Sequence, residues 1–259
     1  MNKKMIIKIR DVVKKYHNYP VLRGLDLDIY QGESLVIIGQ SGVGKSVLLK
    51  HIIGLLDPDS GEIFVDDQNI VNMKESERNI IRKRFGFLFQ SAALFDSLTV
   101  GENVAFGLRQ HHKEMDLEDV RKKVHDLLSL IDLEGIEDLK PAELSGGMRK
   151  RVGLARAIAM DPEIILYDEP TTGVDPIMGD VINELIIKLK QRLNATSITV
   201  THDMASAFKI ADRIAMLYDG KIIEINSPDK IQHSDNPIVR QFITGSSRGP
   251  IAMGHRRGV

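Results

Sequence analysis

Residues 39–46 read Gly39-Gln40-Ser41-Gly42-Val43-Gly44-Lys45-Ser46. They fit the pattern G-x-x-x-x-G-K-[ST], with Gly39, Gly44, Lys45 and Ser46 on its fixed positions. In front of them Ser34-Leu35-Val36-Ile37-Ile38 reads as a buried strand; behind them Val47, Leu48, Leu49, Ile52 and Ile53 carry helical spacing. A glycine-rich loop between strand and helix lets successive backbone N–H groups close around a polyphosphate, at a helix end whose dipole is positive. In that setting Lys45 reaches the β- and γ-phosphates and the Ser46 hydroxyl holds Mg²⁺. A chance glycine turn matches this pattern rarely, and more rarely still between such flanks. The stretch predicts a nucleoside triphosphate site in an α/β fold.

Working outward, 259 residues suit one large or two small domains with a sizeable core. Apolar residues at 42% and charged ones at 27% are those of a globular protein. Lys and Arg number 35 against 36 Asp and Glu, so net charge does not suggest broad nucleic-acid binding. The absence of cysteine excludes disulfides, thiol catalysis and Cys-ligated zinc. No apolar run fits a signal peptide or a membrane span, so work at a membrane requires a partner there.

Ile7 to Val13 and Leu25 to Tyr30 alternate like half-buried strands. Tyr16 lies between them, and its ring suits a core or an adenine face equally. Asp57-Pro58-Asp59-Ser60-Gly61 marks a turn before the strand Glu62–Val65. The strand Phe85–Phe89 ends on Gln90; residues 91–160 then lack strand character and read as a helical insertion. There Asp116 can cap a helix whose apolar face is Leu117, Val120, Val124, Leu127, Leu128 and Ile131. Strand–helix alternation resumes at Glu163–Tyr167, with a helix that aligns Ile177, Val181, Leu185 and Leu189. Strands at 196–200, 214–218 and 221–225 follow, with a short helix around 205–211.

Asp168 and Glu169 end the apolar run Ile164–Tyr167. Beside a phosphate loop, Asp168 is placed to hold Mg²⁺ and Glu169 to polarise the attacking water. Such acidic pairs also occur at ordinary strand ends; the loop upstream favours the chemical reading. In Leu144-Ser145-Gly146-Gly147-Met148, Ser145 is a good N-cap, and the glycines let a ligand approach the first turn of the helix running to Ala159.

The order Gly39–Ser46, Gln90, Leu144–Met148, Asp168-Glu169, Gly173-Val174-Asp175 and His202 resembles the ATP-binding subunit of an ABC transporter, over nearly the whole chain. The resemblance implies a single P-loop NTPase domain over 1–259. It would have a mostly parallel sheet, an N-terminal antiparallel β part, a helical subdomain at 91–160 and a tail at 245–259. Two copies would pair head to tail on the cytoplasmic face of the inner membrane, bound to an integral-membrane permease, each Ser145-Gly146-Gly147 turn closing over the partner's ATP. Gln90 would touch Mg²⁺ and relay the nucleotide state, Asp175 would couple the two sites, and His202 would contact the γ-phosphate. Met148 departs from the Gln common in the family, and a thioether cannot replace an amide's hydrogen bonds.

Residues Phe89–Val100, the Met of Leu144–Met148 and Gly249-Pro250 resemble one branch, the Mla-type ATPases of Mce-associated phospholipid transport. That resemblance implies an Mce-type lipid-binding protein reached through the permease; the alternative is an ABC importer ATPase for another small solute. ABC ATPases of nucleic-acid systems tend to carry two ATPase units, a coiled-coil insertion or zinc modules. Here there is one phosphate loop, a short stretch from Gln90 to Ser145 and no Cys. A nucleotide sensor without turnover needs no positioned base, which Glu169 supplies. Two expectations remain for the structure. Ala92, Ala93, Leu94 and Phe95 form either a docking patch or part of the insertion's own core. Beyond a last short helix at Ile238–Ile243, the Gly- and Arg-rich tail is either loose or, through Ile251 and Met253, an arm around the second copy.

Overall fold

The computed structural model describes residues 4–17 and 19–251. The chain opens with two long antiparallel strands, β1 (Met5–Tyr16) and β2 (Tyr19–Tyr30), followed by β3 (Ser34–Ile38) and α1 (Lys45–Ile52). Next come β4 (Ser60–Val65), β5 (Gln68–Asn69), α2 (Glu75–Arg82) and β6 (Phe85–Leu88). All the elements between β6 and the following strand are helical: α3 (Val100–His111), α4 (Leu117–Leu130), a 3-10 turn at Pro141–Glu143 and α5 (Gly146–Ile158). Alternation then returns with β7 (Ile164–Asp168), α6 (Pro176–Leu193), β8 (Thr196–Thr201), α7 (Met204–Ile210), β9 (Arg213–Tyr218) and β10 (Lys221–Asn226). Two short helices, α8 (Pro228–Gln232) and α9 (Pro237–Thr244), complete the described elements.

The strands form two sheets. One is antiparallel, in the order β2-β1-β4-β5; the other, β10-β9-β3-β8-β7-β6, is parallel except for its β10 edge. Side chains alternate faces along a strand, and β3 and β7 are buried on both, so apart from Ser34 and Asp168 at their ends their sequences are continuous apolar runs. Leu35, Ile37, Ile164 and Leu166 face α1 and the antiparallel sheet, while Val36, Ile38, Ile165 and Tyr167 face the core shared with α3–α7. Two cores therefore clamp one sheet, which fixes the ends of its strands.

Helix starts follow their caps. Asp116 accepts from the N–H groups of Glu118 and Asp119, as the sequence predicts, and Thr99 forms a reciprocal capping box with Glu102. Two expected helix faces are corrected. Leu117 is 65% and Ile177 80% exposed, so neither joins its helix's buried stripe. The stripe of α6 runs through Met178, Ile182, Leu185 and Leu189, one position on from Ile177; that single step turns a side chain by ~100° on a helix. Helix α5 lies against β6 with almost no gap. A Cβ on Gly86 would sit 2.2 Å from the Ala157 carbonyl oxygen, and one on Gly153 2.7 Å from Leu88.

The end of the described chain runs exposed from 244 to 250 and is anchored at Ile251. Helix α9 ends at Gly245 in the left-handed region (φ 65°), and the chain turns back until Ile251 is 5% exposed. The Ile251 N–H donates to Gln241 Oε1 at 2.6 Å, and Gln241 Nε2 donates to the Ser246 and Ile251 carbonyls at 3.2 and 3.4 Å. Met253 and the basic cluster His255-Arg256-Arg257 lie outside the described residues.

Candidate functional site

Four parallel strands deliver the site at their carboxyl ends, where ligands of open α/β sheets bind. β3 leads into the 39–44 loop, β6 into Gln90, β7 ends on Asp168, and β8 is followed by His202. The loop wraps tightly. Gly44 has φ 107°, and a Cβ there would meet Val21 at 2.7 Å, so no other residue fits without displacement. Val43 turns its side chain into the core, and its N–H donates to the Gln40 carbonyl at 3.4 Å. Lys45 and Ser46 begin α1, whose first turn carries no acidic residue to oppose an anion at its positive end.

The charged groups interlock. Lys45 Nζ donates to the Gly39 and Gln40 carbonyls at 2.8 and 3.1 Å and lies 3.3 Å from Glu169 Oε1. On the other side, His202 Nδ1 is 2.9 Å from Glu169 Oε2, to which Thr172 Oγ1 also donates at 3.2 Å. Glu169 has φ 48°, a left-handed conformation uncommon outside glycine. Ser46 Oγ donates to Asp168 Oδ1 at 2.7 Å. Burial pushes the Glu169 carboxyl up, but bonds from His202 and the Lys45 charge outweigh it and hold it below the usual glutamate range. Burial raises Asp168 and its single Ser46 bond does not cancel this, so it titrates above ordinary aspartate. Burial also lowers Lys45, against the pull of Glu169.

A cavity of about 300 Å³ gathers Tyr16, Ser41, Gly42, Gly44, Lys45, Ser46, Gln90, Glu169 and His202. Tyr16 is 40% exposed at this mouth, which settles its position: it is not a core residue. Asp175 caps α6 through the Met178 N–H and lines an adjoining cavity that also reaches His202. Ser145, Gly146 and Gly147 do not line the Lys45 cavity. Ser145 Oγ accepts from the Met148 N–H at 3.2 Å, and the space a Gly147 Cβ would need is filled by Met178. Met148 packs half-buried against the larger core, so its thioether serves as an apolar filler.

Sequence reasoning missed Lys150. It is buried on α5, and its ammonium donates to the Gln90 carbonyl at 2.5 Å and the Glu169 carbonyl at 3.1 Å. Its partners are backbone atoms far along the chain, and no side-chain pattern announces them.

Comparison with known proteins agrees with this architecture. Residues 22–172 match the family described as ABC transporter. The probable ribonucleotide transport ATP-binding protein mkl of Mycobacterium leprae is 40% identical over 251 residues, spanning 97% of this chain and 72% of that protein. The intermembrane phospholipid transport system ATP-binding protein MlaF of Escherichia coli (strain K12) is 39% identical over 253 residues, 98% of this chain and 94% of that protein. Among solved structures, an ATP-binding cassette determined as a dimer in a post-hydrolysis state with ADP and Pi superposes with a TM-score of 0.80 at 35% identity, covering 86% of this chain and 98% of that one. With phosphate loop, acidic strand end and signature turn set on that fold, this chain belongs to the ABC transporter family as an ATP-binding, ATP-hydrolysing subunit.

Proposed function

We propose that the chain powers phospholipid transport across a bacterial envelope, as a pair of copies seated on the cytoplasmic face of an inner-membrane permease. The observation that carries the substrate class is the end-to-end match with MlaF, 98% of this chain on 94% of that one. The mkl match, whose name speaks of ribonucleotides, reaches 72% of its protein. No helix among the described residues is long and apolar enough to cross a membrane, which fits a subunit that attaches through a permease.

The pairing reading rests on Ser145–Gly147 standing apart from the Lys45 cavity while a similar cassette is solved as a dimer. On this reading a second copy supplies the signature turn over the nucleotide. Tyr16 offers its exposed ring to the adenine, and the Gly39–Ser46 backbone and Lys45 bind the phosphates. The bonded Ser46 hydroxyl and Asp168 carboxylate form a hard oxygen pair of the kind that suits Mg²⁺. Those two and the Gln90 side chain would hold the ion, which when bound neutralises phosphate charge. Glu169, kept ionised by His202 and Lys45, accepts the proton of the attacking water. His202 orients Glu169 and faces the γ-phosphate. Gln90 passes the state of the site to the permease, beyond which an Mce-type lipid-binding protein would receive the cargo.

Mild-detergent extraction of the tagged chain, with mass spectrometry of bound proteins and lipids, tests the proposal. The expected result is a permease carrying phospholipid and a turnover that rises with added phospholipid vesicles. A complex without phospholipid, stimulated instead by ribonucleotides, would sink it.

A further inference from the structure

The buried Lys150 joins two loops that the reaction requires to act together. It is 6% exposed, on the second turn of the helix whose first turn is Gly146-Gly147-Met148. A buried ammonium is costly unless its donors are used. This one spends them on two main-chain oxygens: Gln90 O at the end of β6 and Glu169 O beyond β7. A methionine of similar length would fill the space without that cost, so packing alone does not account for a lysine. The Glu169 peptide it holds sits at φ 48°, a left-handed conformation that is strained for a non-glycine residue and needs support from its surroundings. The Glu169 N–H is tied to the Val200 carbonyl at 2.9 Å; its carbonyl accepts from the Thr172 N–H at 3.2 Å within the same loop, and Lys150 supplies the bond that ties it to α5. Burial lowers the lysine's proton affinity, while Asp168 and Glu169 pull it back up.

We propose that Lys150 is a positioning residue: its ammonium bolts the Gln90 and Glu169 main chains to α5, so that the signature helix, the metal-side glutamine loop and the base hold one geometry. This rests on the reading of Glu169 as the base. In a head-to-tail pair it has a further meaning. Each α5 would meet the partner's nucleotide with its first turn and set its own subunit's base with its second. The state of one site would then reach the other along a single helix.

The test uses the full chain with Lys150→Met, which removes the donors at similar length, and Lys150→Gln, which keeps two donors without the charge. Lys150→Ala stands in for the Met variant should the apolar side chain not fold. Misplacing a reacting group by about 1 Å can cost ~10²-fold. Accordingly Lys150→Met should lose about 10–100-fold in kcat while its dissociation constant for a fluorescent ATP analogue changes less than about threefold. Amide exchange should quicken at residues 90–92 and 169–172 with the rest of the chain unchanged. Lys150→Gln should return kcat to within about fivefold of the wild type, because its amide retains donors for both carbonyls. Wild-type kcat in Lys150→Met overturns the proposal, as does a Gln variant as slow as the Met variant. So does a loss of kcat accompanied by equal losses of nucleotide affinity and melting temperature. Glu169→Gln, run alongside, separates the two readings: full turnover there removes the base, whereas a slow Glu169→Gln beside a fast Lys150→Met removes only the bolt.

Discussion

Two neighbouring carboxylates, Asp168 and Glu169, are moved in opposite directions although both are buried. Glu169 is gripped by His202 and Lys45, whereas at Asp168 the Ser46 bond and the Lys50 and Lys45 charges do not outweigh desolvation and the neighbouring Glu169 charge. Their pH linkages therefore differ in sign. Glu169, with its folded pKa depressed, contributes stability that is present above the ordinary glutamate value and lost as pH falls through its folded value. Asp168, with its folded pKa raised, favours the folded state in acid, and that contribution is lost as pH rises through its folded value. Asp168→Asn should accordingly raise the melting temperature of the nucleotide-free protein near neutral pH, keeping the Ser46 bond through the amide oxygen, with the gain vanishing near about pH 3. Calorimetry at both pH values checks it; equal shifts at the two would refute the assignment. Glu169→Gln should keep ATP binding and slow phosphate release by about 10²–10⁴-fold, the effect of losing a positioned base. Turnover near the wild-type rate would take that role from Glu169.

At the scale of elements, the segment joining β6 to α3 shows what a sequence discloses and what it withholds. The phosphate loop was legible because its eight residues are consecutive and their spacing is their geometry. Ala92–Phe95 was ambiguous because its outcome depends on backbone angles. Ala92 and Ala93 both take positive φ, 61° and 47°, with their carbonyls held by Arg156 at 2.8 and 2.7 Å. That twist buries Ala92 to 1% exposure, packs Leu94 against the core and turns Phe95 outward. Part of the expected patch is thus core. Phe95 remains 43% exposed, its ring 4.7 Å from Phe106 and 5.8 Å from the Arg156 guanidinium. Phe95→Asp should therefore melt close to the wild type yet fail to co-purify with the permease, whereas Leu94→Asp should destabilise the fold itself. Recovery of the permease with Phe95→Asp at wild-type yield would place docking elsewhere. Lys150 stayed hidden for a related reason: carbonyl oxygens are the same in every residue, so composition cannot flag them as partners. The helix-face errors at Leu117 and Ile177 arose because an apolar residue in a first turn satisfies the periodicity whether or not anything packs there.

Over the whole molecule, the described end of the chain serves its own subunit. Ile251 is buried beside Gln241, so Ile251→Ala should cost roughly 2 kcal/mol, the low end for deleting a buried isoleucine side chain. In a chain of this size that is a fall of about 4–8 °C in melting temperature. An unchanged melt would mean the site is not load-carrying in solution. Removing Gly249–Val259 tests the separate expectation of an arm around the second copy. Sedimentation over a concentration series should show weaker pairing, and superimposable dissociation curves would assign the segment to its own subunit alone. The contact of α5 with β6 has a consequence of another kind. With Gly86 set against the Ala157 carbonyl, helix and strand have no backlash. In a linkage without play, timing is inherited from construction. One methyl group at position 86 would force strand or helix aside, and the shift would be carried along β6 toward Gln90. Such a lesion would reach the site through its frame, without touching the nucleotide itself.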